Sequence, residues 1–259
     1  MENVMQELMI KFEIFLMLLA RCSAIFLITP IFGRRNLPAV FKIGLAFIIS
    51  IILVNVVEAP QTMYGSFIEI AGFIIKEVII GLIIGFVTYV IFASIYFAGQ
   101  IIDMKTGFGI VNVLDPQTNT QVPIIGNFLY IFTLVAFITI DGHHMMLSAL
   151  VRSFQIVPVG KLQITVEAVN VFAEIMMDTF IIGFKISAPV IAAILLTDVA
   201  LGILAKTMPQ MNVFMVGMPL KILVGIFTLM IMIPVFSTVI EALLRNMADS
   251  IYKILLHLG

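Results

Sequence analysis

Nine charged side chains lie inside or beside long apolar runs of this sequence: Arg21, Glu69, Lys76, Glu77, Arg152, Glu174, Asp178, Lys185 and Asp198. A charge in hydrocarbon is costly, so such residues either line a path for ions or protons or are held by buried pairing, helix ends or subunit contacts. Spacing separates some of these options. Lys76 and Glu77 are adjacent and cannot share a helix face, whereas Glu174 and Asp178 stand four apart and repel unless one is protonated or a basic partner approaches. Asp141, His143 and His144 have metal-ligand chemistry, but the histidines are successive rather than i and i+4, and the remaining His257 is distant. A metal site would have to recruit distant residues, so the group reads as a polar turn at a membrane boundary. Cys22 is the single cysteine, which excludes an internal disulfide, and its apolar neighbours make it a buried helix residue. GxxxxGK(S/T), GxGxxG and HExxH are all absent. Hydrolysis driven by this chain alone is therefore unsupported, and no catalytic residue, cofactor or metal is assigned.

The elements that must carry these residues are set by composition. Of 259 residues 62% are hydrophobic and 11% charged, against about 45–50% and about 25% in soluble domains. The chain is therefore expected to be an all-α membrane protein, with space for roughly five to eight helical segments and no sizeable aqueous domain. A net charge of -1 and no basic run longer than Arg34-Arg35 exclude nucleic acid as a partner. Glu2, Glu7, Lys11 and Glu13 stand where a signal peptide would carry a basic region, so the first helix is expected to remain.

Apolar runs are found at 14–31, 43–57, 78–98, 124–140 and 220–240, with a short one at 145–157 that contains Arg152. Extending the third run back to Phe67 gives a helix of about 32 residues, longer than a bilayer needs. Gly81 and Gly85 within it allow close helix approach, either in general packing or against a specific partner. From 99 to 123 the periodicity stops and a long loop or broken helix is expected. The stretch 166–204 is predicted to split into two helices near Lys185 to Pro189, and 208–219 reads as a connection. Residues 241–259 form an amphipathic tail, with Leu243, Leu244, Met247, Ile251, Ile254 and Leu255 on one face, suited to an interface or partner surface. Arg34, Arg35 and Lys42 favour a cytosolic first loop, but later loops mix signs and no topology follows. With no tryptophan and 5 tyrosines the aromatic belt is thin, which fits partner proteins replacing some lipid contact.

The segment 107–121 concentrates Gly107, Gly109, Asn112, Asp115, Pro116, Asn119 and Thr120. By composition it is either a surface loop or a constriction lining a conduit, since irregular backbone reaches membrane depth only where protein or a water-filled cavity satisfies it.

Several stretches resemble one known family: Arg21 through Pro30, FGRRNLP at 32–38, GFGIVNVLDPQTNTQVP at 107–123, DGHHMMLSALVRSFQIVPVG at 141–160, and TDVALGILAKTMPQMNVFMVGMPLKILVG at 197–225. The resemblance covers essentially the whole chain and is to the FliR family of flagellar export-apparatus membrane proteins, with SctT-like counterparts in virulence type III secretion. It implies an integral membrane export-gate fold of bent helical hairpins, a FliP-like part at 1–205 joined to a FliQ-like hairpin at 206–259. It implies a place in the bacterial inner (cytoplasmic) membrane at the flagellum basal body, beside FliP-like and FliQ-like subunits and FlhB-like and FlhA-like membrane proteins. The family's plug-like loop falls on Gly107, Phe108, Gly109, Ile110, Val111, Asn112, Asp115, Pro116 and Asn119. Phe108, Ile110 and Val111 would obstruct the passage, and Asn112, Asp115 and Asn119 would meet water or backbone. Pro209, Gln210 and Asn212 match a PQxN element, read as a structural turn or subunit contact, and Lys206 stands where the family commonly has arginine, without its planar fork. The implied function is non-enzymatic, a closed conduit admitting unfolded flagellar subunits in transit. Against this stand an independent ion or small-molecule transporter using the intramembrane charges, for which no inverted repeat is found, and a membrane scaffold with no passage of its own.

Overall fold

A computed structural model describes residues 2–33, 37–57, 66–108, 123–210 and 212–259. Among them the chain forms α-helices and no strand: α1 (Glu2–Ile28), α2 (Ala39–Val54), α3 (Phe67–Thr106), α4 (Ile124–Thr139), α5 (Gly142–Ile156), α6 (Val166–Thr207) and α7 (Val213–Leu255). The three longest have 40, 42 and 43 residues, roughly 60 Å each at 1.5 Å per residue and about twice the hydrocarbon thickness. Three helices are long and apolar enough to cross a membrane, or four if α4 and α5 together make one bent span. The fold is that of an all-α membrane protein.

Three sequence expectations change. The predicted break near 185–189 does not occur, because α6 runs through Pro189. Proline removes one donor from the helix ladder, and in apolar surroundings no water competes for the remaining bonds, so one missing bond does not end the helix. The connection read at 208–219 is shorter, because α7 already begins at Val213 and runs to Leu255 with Pro219 and Pro234 inside it. Finally α3 continues past 99 to Thr106, where Gly107 at φ 91° takes the chain off the helix.

The chain divides into two compact units. The first comprises Met1–Val90, Asp141–Met176 and Arg245–Gly259. Here α1 lies against the N-terminal half of α3 through Gly81 and Gly85. A Cβ on Gly81 would stand 2.5 Å from the Arg21 carbonyl oxygen, and one on Gly85 would stand 3.2 Å from that of Ile25. The GxxxG pair therefore serves packing within the chain. Met17, Leu18, Cys22, Ile25, Ile80, Ile84, Met146 and Leu150 fill this core. The end of the chain closes it, since Gln163 N–H donates to Leu258 O at 2.9 Å and Thr165 Oγ1 to His257 O at 2.8 Å. Met247, Ile251, Ile254 and Leu255 are buried. This part of the tail's apolar face is covered by its own chain rather than left for a partner.

The second unit comprises Ile91–Ile140 and Met177–Leu244. The last turns of α3 meet α4 at Gly99, where a Cβ would overlap the backbone of Gly126. Phe92 packs edge-on against Tyr130 and Phe137, with centroids 5.9 and 5.6 Å away. α6 approaches α3 at Gly183, where a Cβ would lie 2.7 Å from Phe97 Cδ1. Within this unit α6 and α7 run antiparallel, pairing Asp198 with Lys221 and setting Leu201 against Gly217. In the most apolar 18-residue stretch, 56% of α3 is buried but only 17% of α6 and 11% of α7.

Candidate functional site

The segment singled out by sequence lies in the chain between the end of α3 and the start of α4, both in the second unit. Gly107 and Phe108 are described and partly buried, whereas Gly109, Ile110, Val111, Asn112, Asp115, Pro116 and Asn119 lie outside the described residues. What the structure defines is the base of this segment. The first turn of α4 needs acceptors for its free N–H groups, and its N-cap residue, Pro123, offers no side-chain cap. The acceptor comes from α3. Asp103, 4% exposed, receives Ile125 N–H at 3.0 Å and Gly126 N–H at 3.1 Å, both on Oδ2. A carboxylate at a helix N-terminus satisfies orphan donors and opposes the positive end of the helix dipole. Gly99 and Gly126 let the two backbones come close enough for this. The end of α3 and the start of α4 are thereby tied together. Sequence reasoning passed over Asp103, although a helix start capped by proline signals that an acceptor must come from elsewhere.

Beside this base lies a cavity of about 420 Å³ whose lining includes Met104, Thr106, Gly107, Asp198, Gly217 and Lys221. Pro209 and Gln210 form the exposed turn between α6 and α7. Asn212 caps α7, its Oδ1 and backbone oxygen both accepting from Met215 N–H at 3.2 and 3.1 Å. Lys206 is exposed near that turn.

In the first unit the charges that sequence read as a possible pathway are mostly paired. Arg21 Nε donates to Glu77 Oε2 at 2.6 Å, Nη1 to Ser153 Oγ at 3.1 Å and Nη2 to Val157 O at 3.0 Å. Its guanidinium also lies 4.0 Å from the centroid of Phe154. Glu77 Oε1 accepts Gly160 N–H at 2.8 Å. The junction thus ties α1, α3, α5 and the turn after α5 with both charges satisfied, which is what burial of an ion pair requires. The repulsion expected between Glu174 and Asp178 is relieved by a basic partner, Lys253, at 2.7 Å from Glu174. Arg152 lies over the ring of Tyr252. The side chains of Glu69 and, in the second unit, of Asp178 and Lys185 are exposed and have no partner among the described residues.

Asp141, His143 and His144 do not need distant help to converge, as their ligand atoms all lie within 4.8 Å of one another. Asp141 is the N-cap of α5 with a left-handed backbone at φ 57°, and its Oδ1 lies 3.5 Å from His144 Nδ1.

Residues 12–247 match the family described as bacterial export proteins, family 1. The chain is 36% identical to flagellar biosynthetic protein FliR of Bacillus subtilis (strain 168), covering 98% of this chain and 99% of that one. It is 30% identical to the FliR protein of Pectobacterium carotovorum subsp. carotovorum over 92% and 91% of the two chains. With that of Escherichia coli (strain K12) the figures are 27%, 92% and 90%. Matched from near its start to near its end by relatives of almost equal length, this all-helical chain belongs to the FliR family of bacterial export proteins.

Proposed function

We propose that the chain is a non-enzymatic subunit of a flagellar type III export gate, where it helps form the conduit for unfolded flagellar subunits. It is a component of the flagellar export apparatus and not an independent transporter, as its family and its relatives' names indicate. The observation that carries the gate reading is the bareness of α6 and α7. Their most apolar stretches are 17% and 11% buried, and side chains such as Leu196 at 73% and Phe227 at 65% exposure await lipid or protein cover. Sister subunits of FliP-like and FliQ-like type would supply that cover, with FlhB-like and FlhA-like proteins alongside, in the bacterial inner membrane at the flagellum basal body. The FliP-like part is assigned to 1–205 and the FliQ-like part to 206–259, where α7 runs unbroken from Val213 to Leu255. The 107–121 segment serves as the plug, its base held by Asp103, and energy comes from partners and the membrane proton gradient. A hydrophobic constriction excludes water and so limits ion leakage while the gate is shut.

Affinity isolation in mild detergent tests the assembly: co-purification with FliP-like and FliQ-like chains is expected, and transport by the isolated chain would sink the proposal. Deleting 107–121 in an otherwise assembled complex is expected to raise ion leakage. Unchanged conductance with normal assembly would remove the plug role while leaving the gate role standing.

A further inference from the structure

We propose that Asp141, His143 and His144 form a binding site for a first-row divalent transition cation, with Zn²⁺ the best match. Two imidazoles and one carboxylate are the donor set such ions favour, whereas Mg²⁺ and Ca²⁺ demand mostly oxygen. Three observations converge on this turn. The ligand atoms lie within 4.8 Å of one another. The Asp141 carboxylate sits at the N-cap of α5 yet makes no capping hydrogen bond, and its Oδ1 instead faces His144 Nδ1 at 3.5 Å. His143 Nδ1 is shielded from solvent with no hydrogen-bond partner, a costly state for a polar nitrogen unless something else engages it. Asp141 is also the one non-glycine residue of positive φ among the described residues. The two imidazole rings stand side by side, with centroids 4.2 Å apart.

Ligand bonds of about 2.0–2.1 Å would bring the donors closer together than they now stand. The side chains of His144 and Asp141 are 70% and 74% exposed and free to rotate inward. The N-terminus of α5 opposes a cation, and the adjacent carboxylate offsets that. Three protein ligands leave coordination positions for water or for a donor from a neighbouring chain.

The test uses the full-length chain, purified in mild detergent through a tag without histidine. Co²⁺ is titrated while its visible absorption is followed, and Zn²⁺ is titrated by calorimetry. One equivalent of either metal is expected to bind, and His144→Ala, at an exposed position, is expected to weaken it about tenfold or more. Asp141→Asn, which preserves the turn, should act in the same direction. Absence of binding by the unaltered chain, or binding that both variants leave unchanged, would overturn the site. If His143→Ala cannot be purified, the other two variants decide the question.

Discussion

Arg21 and Glu77, 56 residues apart in sequence, meet at 2.6 Å with both side chains fully enclosed. Each is also committed elsewhere, Arg21 to Ser153 and Val157, Glu77 to the Gly160 amide. Removing one partner leaves an uncompensated buried charge, so Arg21→Met or Glu77→Gln should destabilise the protein by about 3–5 kcal/mol. Removing both charges together should cost less than the sum, with a coupling of about 1–3 kcal/mol. Thermal unfolding of the four proteins in one detergent measures this. Strict additivity would mean that the two residues do not act as a pair.

Asp103 should behave as a cap for α4. Its carboxylate is the acceptor for the Ile125 and Gly126 amides, so Asp103→Ala removes about 1–2 kcal/mol locally. Hydrogen exchange at these two amides should accelerate, with Asp103→Asn intermediate because one acceptor oxygen remains. Protection in α1 should stay as it was. If exchange rises equally everywhere, Asp103 supports the whole fold and not the start of α4 alone.

The order of the apolar runs was readable because burial in a membrane leaves a run of twenty or so residues without charge, as in 78–98. What joins or divides such runs was not. Pro189 carries the same local signal whether a helix ends or continues, and only the packing of its surroundings decides. The charges announced that Arg21 and Glu77 needed partners, but 56 residues of separation hide who pairs with whom. At 141–144 the spacing rule for helical ligands did not anticipate that three side chains converge, because Asp141 is left-handed and precedes the helix.

Glycines on the helix faces should divide into two classes. A methyl group on Gly81 would stand 2.5 Å from the Arg21 carbonyl oxygen and 2.7 Å from Ala24 Cβ, so Gly81→Ala must push α1 and α3 apart. Overpacking of this kind costs about 1–3 kcal/mol. At Gly72, in the same helix, an added methyl group would meet nothing within 4 Å. Gly72→Ala should therefore leave stability unchanged or raise it by about 0.5–1 kcal/mol through helix propensity. Melting temperatures that move the same way for both would contradict the packing assignment.

Lys253 and Glu174 form the contrasting ion pair. Their side chains are 50% and 51% exposed at 2.7 Å separation, so solvent and the entropy of two long side chains consume most of the attraction. Lys253→Ala should cost no more than about 1 kcal/mol. Because the lysine also offsets the repulsion between Glu174 and Asp178 one turn on, that small loss should be largest at low salt. It should fade as ionic strength approaches about 1 M, where the screening length falls to about 3 Å. The Arg21–Glu77 pair, sealed from solvent, should show no such salt dependence. Unfolding measured in parallel at low and high salt separates the two cases. A salt-insensitive loss at Lys253 would mean that its methylene stem, packed along the chain, matters more than its charge.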